Sequence, residues 1–296
     1  MKYRWFIIIS CAILIFSCAR KRENRRGVMT SSGINTERAQ PKRIIEEQPI
    51  NEEIRETESE CNPIVSKTNI EIPISSKNSN QLILKRIAYM ASYNKTTRTP
   101  NWIAWHLTSR YAFGDVANRK NYDFHEDPDV PEPRACKNDW SYNNNSYQRG
   151  HMCPAADNKW SNDAMNQCFL MTNICPQNGK LNEYAWRYLE EDCRNWASKY
   201  GDIYIVCGPI YKSTQYKTLG RNHIAIPDAF FKVILRLGKD PQALGFIYPN
   251  RACSKPTQAY MMSVDAVEKI TGFDFFSSID NGIENQVESR AVFSKW

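Results

Sequence analysis

Residues 82–93 and 102–108 are runs of β-branched, aromatic and apolar side chains. Between them, Asn94-Lys-Thr-Thr-Arg-Thr-Pro100 has the composition of a turn, and the whole predicts a β-hairpin. Residues 118–147 have little periodicity and many Pro and Asn breaks. They predict a long surface loop, a kind of segment that often carries function in a compact domain. Residues 167–174 predict a strand ending at Asn173. The period then lengthens: Leu181, Ala185, Leu189, Cys193 and Trp196 recur at helical spacing and predict a helix over 181–200. Residues 203–206, 230–237 and 244–248 read as strands, with Gly238-Lys-Asp-Pro241 as the turn joining the last two. Ser263 is placed to cap a helix over 264–270 that Gly272 stops. Strands and helices mix without regular alternation. That predicts an α+β domain, a mixed or antiparallel sheet core flanked by helices, with no repeat and no second domain.

The first 68 residues have neither period. Lys2 and Arg4 precede an apolar run over 5–16, about a dozen residues, too short for a relaxed membrane span and suited to a signal-peptide core. Ser17-Cys18 resembles the end of a bacterial lipoprotein signal, in which Cys18 would be lipidated and anchor the chain to a membrane. Arg20, Lys21, Arg22, Arg25 and Arg26 follow closely and oppose translocation, so a short signal-anchor with a cytoplasmic body is the competing reading. Residues 19–68 are polar and charged and predict a disordered tether. The expected organisation is a signal peptide over 1–18, a linker over 19–68 and a folded domain over 69–296. The expected location is periplasmic, outer-surface or secreted.

Composition changes this picture little. The 296-residue chain carries a net charge of +7. Residues 1–68 hold 12 Lys+Arg against 9 Asp+Glu, which leaves 27 against 23 for the folded part. That mild excess permits nucleic-acid binding without demanding it. Ten cysteines are present, two of them, Cys11 and Cys18, in the leader. The other eight predict disulfides in an exported chain, with Cys153, Cys168, Cys175 and Cys193 placed to brace the site or to remain buried thiols. No Cys-x-x-Cys pair is present, which argues against a structural zinc site.

Candidate chemistry gathers in three places. Arg149-Gly150-His151 sets a fixed cation able to grip phosphate beside a side chain that can exchange a proton near neutral pH. The glycine between them admits backbone conformations closed to other residues. Thr172-Asn173-Ile-Cys-Pro-Gln177 follows. On the predicted helix, Asn182, Trp186, Glu190 and Arg194 are spaced by four and share a broad face. An amide oxygen is a hard ligand suited to magnesium, and a carboxylate nearby can orient the waters that magnesium keeps. Singly, each is ordinary: helix faces carry ion pairs, and most histidines are structural.

In this order and spacing, Arg149-Gly150-His151, Asn173-Ile-Cys-Pro-Gln177 and Asn182-x-x-x-Trp186-x-x-Leu189-Glu190-x-x-x-Arg194 resemble the DNA/RNA non-specific endonucleases with a ββα-metal site. Trp102-Ile-Ala-Trp-His-Leu107, Arg119 with Phe124-His-Glu-Asp127-Pro128, Ile203-Tyr-Ile-Val-Cys-Gly-Pro209, Pro227-Asp-Ala-Phe-Phe-Lys-Val233 and Ser263-Val-Asp-Ala-Val267 extend the likeness over roughly residues 80–280. The resemblance implies a general base at His151, a Mg2+ (or Mn2+) ligand at Asn182, and a holder of the metal's waters at Glu190. It implies phosphate-directed arginines at Arg149, Arg194 and Arg119, and a site shaped, with substrate contacts, by Asn173 and Gln177. The implied reaction is hydrolysis of DNA and RNA backbones to 5′-phosphate ends. One departure is Gln148 where the family usually has aspartate; it keeps an acceptor and loses a charge. It is the one feature favouring a catalytically weak nucleic-acid-binding lipoprotein on the same fold. A disulfide-braced structural lipoprotein, the third reading, leaves the helix stripe unexplained.

Overall fold

Asp202–Ile210 runs through the middle of a seven-stranded sheet in which every neighbouring pair is antiparallel. The order across it is Met261–Met262, Gln242–Pro249, Ala229–Arg236, Asp202–Ile210, Thr99–Thr108, Met90–Asn94 and Gln81–Lys85. The computed structural model describes residues 69–75, 81–142 and 146–296. The described residues lie in the unit Cys61–Trp296. The signal peptide, Cys18 and the tether therefore lie outside the described residues. No helix among those described is long and apolar enough to cross a membrane.

Both faces of the sheet are covered, which explains why its central strands read as continuous apolar runs. Ile203, Ile205 and Cys207 point to one face and pack with Leu181, Leu189, Cys193 and Trp196 of the long helix. Tyr204 and Val206 point to the other and pack with Val264, Val267, Phe275, Phe276 and Val287. All eight residues of Ala229–Arg236 are buried, including Lys232.

The predicted hairpin is present but subdivided. Residues 82–93 are two strands, Gln81–Lys85 and Met90–Asn94, folded back where Arg86 N–H donates to the Tyr89 carbonyl at 2.9 Å. In the next turn the Asn94 side chain accepts from the amides of Thr96 and Thr97, and Arg98 takes a positive φ of 57°. The strand expected over 167–174 is a correction. Cys168 ends the helix Asn162–Cys168, Met171–Asn173 is a 3₁₀ turn, and the strand begins only at Ile174. A short apolar run fits a buried helix end as well as a strand, and here burial of Cys168, Phe169, Leu170 and Met171 produced the apolar run. Ser263 and Gly272 bound their helix as expected, Gly272 at φ 75°. The helix Asn281–Glu288, capped by Asp280, carries no strong apolar period and escapes a sequence reading.

The expected disulfides are also corrected. All seven described cysteines are free, and five of them are buried. Burial pushes the thiols of Cys153, Cys168, Cys175, Cys193 and Cys207 up, so they pack as small apolar groups. Cysteine content thus gives no support to an oxidising compartment.

Candidate active site

A separate two-stranded hairpin stands beside the main sheet. Tyr147–His151 pairs antiparallel with Ile174–Asn178, placing Gln148 opposite Gln177, Arg149 opposite Pro176 and His151 opposite Ile174. The long helix starts three residues later. Alternation is weak in both strands, and 22 residues separate them, so the pairing is invisible to local pattern.

Gly150 is required here by close approach and not by an unusual φ. A Cβ on Gly150 would lie 2.2 Å from Gln177 Oε1 and 2.5 Å from Gln177 Cβ. Gln177 is fully buried, with both amide atoms enclosed and unpartnered. It shapes the hairpin from within. Asn173 is also fully buried. Its Oδ1 accepts from the Cys153 amide at 2.9 Å, and its Nδ2 donates to the carbonyls of Cys153 (2.9 Å) and Cys168 (2.8 Å). The side chains of Asn173 and Gln177, expected to contact substrate, are both fully buried in this structure.

His151 is 9% exposed, and its Nε2 has no hydrogen-bond partner. Phe124 and Phe169 wall the ring, with centroids 5.2 and 5.0 Å away. Burial, with a smaller push from Arg119, pulls its pKa down to about 3, so the imidazole is neutral across the physiological range. Each aromatic wall also carries an arginine: Arg149 lies 4.8 Å from the Phe124 ring and Arg119 lies 5.6 Å from Phe169. The residues between Arg119 and Arg149 are held by Asp127, almost wholly buried, which accepts from Arg86 at 2.5 Å and from Thr172 Oγ1 at 2.6 Å.

Arg119, Phe124, Trp140, Tyr147, Gln148, Arg149 and Asn182 line one cleft of about 440 Å³. Asn182 Nδ2 donates to Gln148 Oε1 at 2.7 Å, while Gln148 Nε2 donates to Glu183. This leaves Asn182 Oδ1 as the atom open to a hard cation. The residue that departs from the family pattern is thus the one that orients the expected metal ligand.

The stripe of four begins on a wider turn than expected. Leu181–Trp186 is wound as a π-helix and Arg187–Tyr200 as an α-helix, and the wider first turn breaks the even spacing. Trp186 is buried against Phe230 and Tyr248. Glu190 and Arg194 belong to a buried cluster of charges with Asp157 and Lys232. Arg194 donates to Asp157 Oδ1 at 3.0 Å and is only 12% exposed, while Trp105 Nε1 donates to Asp157 Oδ2. Arg194, expected to contact phosphate, pairs one guanidinium nitrogen with this internal carboxylate. Burial pushes Glu190 up to about 7, against the pull of Lys232. Lys232 has no exposed surface and no hydrogen-bond partner at Nζ, and sits 4.3 Å from the Trp186 ring and 5.6 Å from that of Trp105. Surrounding acids and thiols hold its pKa up against desolvation.

Four participants escaped the sequence reading. Phe124 and Phe169 have no local signature. Lys232 had one, a charge inside an apolar run read as a strand. Asp157 had a weaker one, an acid six residues beyond the histidine.

A hairpin that carries a buried neutral histidine and lends Gln148 and Arg149 to a cleft, followed at once by a helix that presents an amide to that cleft, defines a ββα nuclease architecture. The chain belongs to the DNA/RNA non-specific endonuclease family, whose sequence profile matches residues 66–282. It is 37% identical over 207 residues to "Nuclease EXOG, mitochondrial" of Danio rerio, covering 64% of this chain and 60% of that protein. It is 37% identical over 213 residues to "Nuclease C1" of Cunninghamella echinulata var. echinulata, covering 67% of this chain and 83% of that one. Among solved structures, a chain of the crystal structure of the EndoG/EndoGI complex superposes with a TM-score of 0.63 at 26% identity, over 67% of this chain and 87% of that chain. The chain thus spans well under two thirds of the zebrafish protein and most of the fungal one.

Proposed function

We propose that this chain hydrolyses phosphodiester bonds inside DNA and RNA, with a divalent cation, Mg2+ or Mn2+, and leaves 5′-phosphate ends. The observation that carries the reading is the cleft itself. Arg119, Arg149 and Asn182 line it, with the Asn182 Oδ1 left for a metal, and the aromatic rings that seat the two arginines also wall the neutral imidazole of His151, whose Nε2 has no partner.

His151 Nε2 takes the proton of the attacking water, a task for an imidazole that is neutral before the step. The flanking phenyl rings pack against the imidazole and fix its orientation. Arg119 and Arg149 grip the phosphate; their planar forks suit its oxygens, and their aromatic seats hold them in place. Asn182 Oδ1 would ligate the cation, and the Glu190 carboxylate, raised by desolvation, is a group that a nearby cation would stabilise in its charged form. When bound, the cation acts as a Lewis acid on the phosphate and the departing 3′ oxygen. Arg194 holds Asp157, and the charge of Lys232 favours the ionised Glu190. Contacts to phosphate and not to base edges suit broad specificity, and the mild net charge suffices when its cations gather at one cleft. Gln148 does not favour the binding-only alternative, because it keeps Asn182 oriented.

The proposal includes one catalytic domain over 69–296 and export by the leader, with anchoring at Cys18. Support for export is the apolar run behind Lys2 and Arg4; the relatives' mitochondrial names describe their own compartment. Fractionation with a fatty-acid analogue tests it, and an unlabelled Cys18 would exclude the anchor.

The activity is tested by incubating the purified protein with plasmid DNA and with RNA, in Mg2+ or in chelator. Cleavage of both only with the metal is expected. His151→Ala should abolish cleavage and leave binding, and Asn182→Ala should raise the metal requirement. Wild-type cleavage by both variants would place the site elsewhere.

A further inference from the structure

On the sheet face opposite the long helix, two helices bring acids together. Asp265 and Glu268 on Val264–Thr271, and Glu288 at the end of Asn281–Glu288, each offer one carboxylate oxygen within 4.8 Å of the others. Glu288 is 4% exposed, and its Oε1 is enclosed with no hydrogen-bond partner. An enclosed carboxylate oxygen without a donor is a costly arrangement unless something positive meets it. Asp274 and Glu284 lie close enough to add to the repulsion. None of these five acids makes an ion pair with a lysine or arginine among the described residues. Glu288 also ends its helix, where the macrodipole opposes a negative charge. Burial, then its acidic neighbours, pushes its carboxyl up to about 9.

We infer that Asp265, Glu268 and Glu288 form a calcium site, remote from the nuclease cleft, that ties the helix Asn281–Glu288 to the helix Val264–Thr271. A single proton neutralises one acid and leaves the others facing each other; a divalent cation satisfies all three oxygens at once. The ligands are hard oxygens. Two of them across a calcium ion, at about 2.3–2.6 Å each, stand at most about 5 Å apart, whereas magnesium at about 2.0–2.1 Å demands a tighter octahedron. Glu268 has an oxygen to spare, because only its Oε1 accepts from the Phe275 amide, at 2.8 Å. Waters complete the shell on the side of Asp265 and Glu268, which are partly exposed. The site is structural, since it touches neither hairpin nor cleft.

The test is thermal unfolding of the metal-stripped protein with added CaCl2 or MgCl2. Calcium at a hundredfold over its dissociation constant should raise Tm by about 5 °C or more. The rise should persist in Asn182→Ala, which removes the cleft's metal ligand, and vanish in Glu288→Gln and in Asp265→Asn. Glu288→Gln should also unfold at a higher temperature than wild type without metal, because it removes a carboxyl that must take up a proton or bury a charge on folding; this keeps the test readable if one variant folds poorly. Absence of a calcium shift in the wild type, its loss in Asn182→Ala, or its survival in Glu288→Gln would overturn the site. An equal shift with magnesium would overturn its assignment to calcium.

Discussion

Gly150→Ala is the sharpest probe of how the hairpin positions its histidine. The added methyl would sit 2.2 Å from Gln177 Oε1 and 2.5 Å from Gln177 Cβ, distances that real Cβ contacts do not adopt. The amide end of a side chain can swing away, but Gln177 has no exposed surface to swing into, and its Cβ is fixed by the strand. The two strands must therefore part by several tenths of an ångström or more. Overpacking of this kind costs about 1–3 kcal/mol. For a domain of this size that lowers Tm by about 2–12 °C. His151 is the next residue on the displaced strand, and a misplacement near 1 Å can cost a reaction on the order of a hundredfold. Thermal unfolding and plasmid nicking, measured on the same preparation, read both effects. The double variant Gly150→Ala/Gln177→Gly deletes both clashing atoms and should recover most of the lost Tm. A Gly150→Ala protein with wild-type Tm and full cleavage would refute the close-approach argument.

Other expectations concern the buried charges. Glu190, with its pKa raised to about 7, must be ionised to hold a hydrated cation, so cleavage should fall as pH drops through about 7. A nearby cation favours the carboxylate, so the midpoint should move lower as Mg2+ is raised; a midpoint independent of metal would remove Glu190 from the site. Lys232→Met removes a cation that opposes that rise, so the same midpoint should move higher. A variant that merely loses stability, with an unshifted profile, would limit Lys232 to packing. Arg194→Met leaves Asp157 buried without its partner and should destabilise the fold by about 3–5 kcal/mol, read by chemical denaturation. If instead stability holds while substrate KM rises steeply, Arg194 reaches substrate after all.

The sequence alone settled a good deal. Central strands, covered on both faces, appear as uninterrupted apolar runs because burial demands it, and the long helix shows its core stripe in Leu181, Ala185, Leu189 and Cys193. Residue order alone also carried the likeness to a nuclease family, through His151, Asn182 and Glu190. Tertiary structure decided what each of those side chains faces. Asn173 and Gln177 look like site residues in sequence, and are fully buried in the structure, because the partner strand arrives from 22 residues away. Arg194 looked free for phosphate until Asp157 met it across the fold. The turn at Leu181–Trp186 is wound as a π-helix, a local widening that no four-residue spacing can announce. Lys232 and Glu288 mark the same divide: a charge is written plainly in the sequence, but whether water, an aromatic ring or another acid surrounds it is fixed only when distant segments pack.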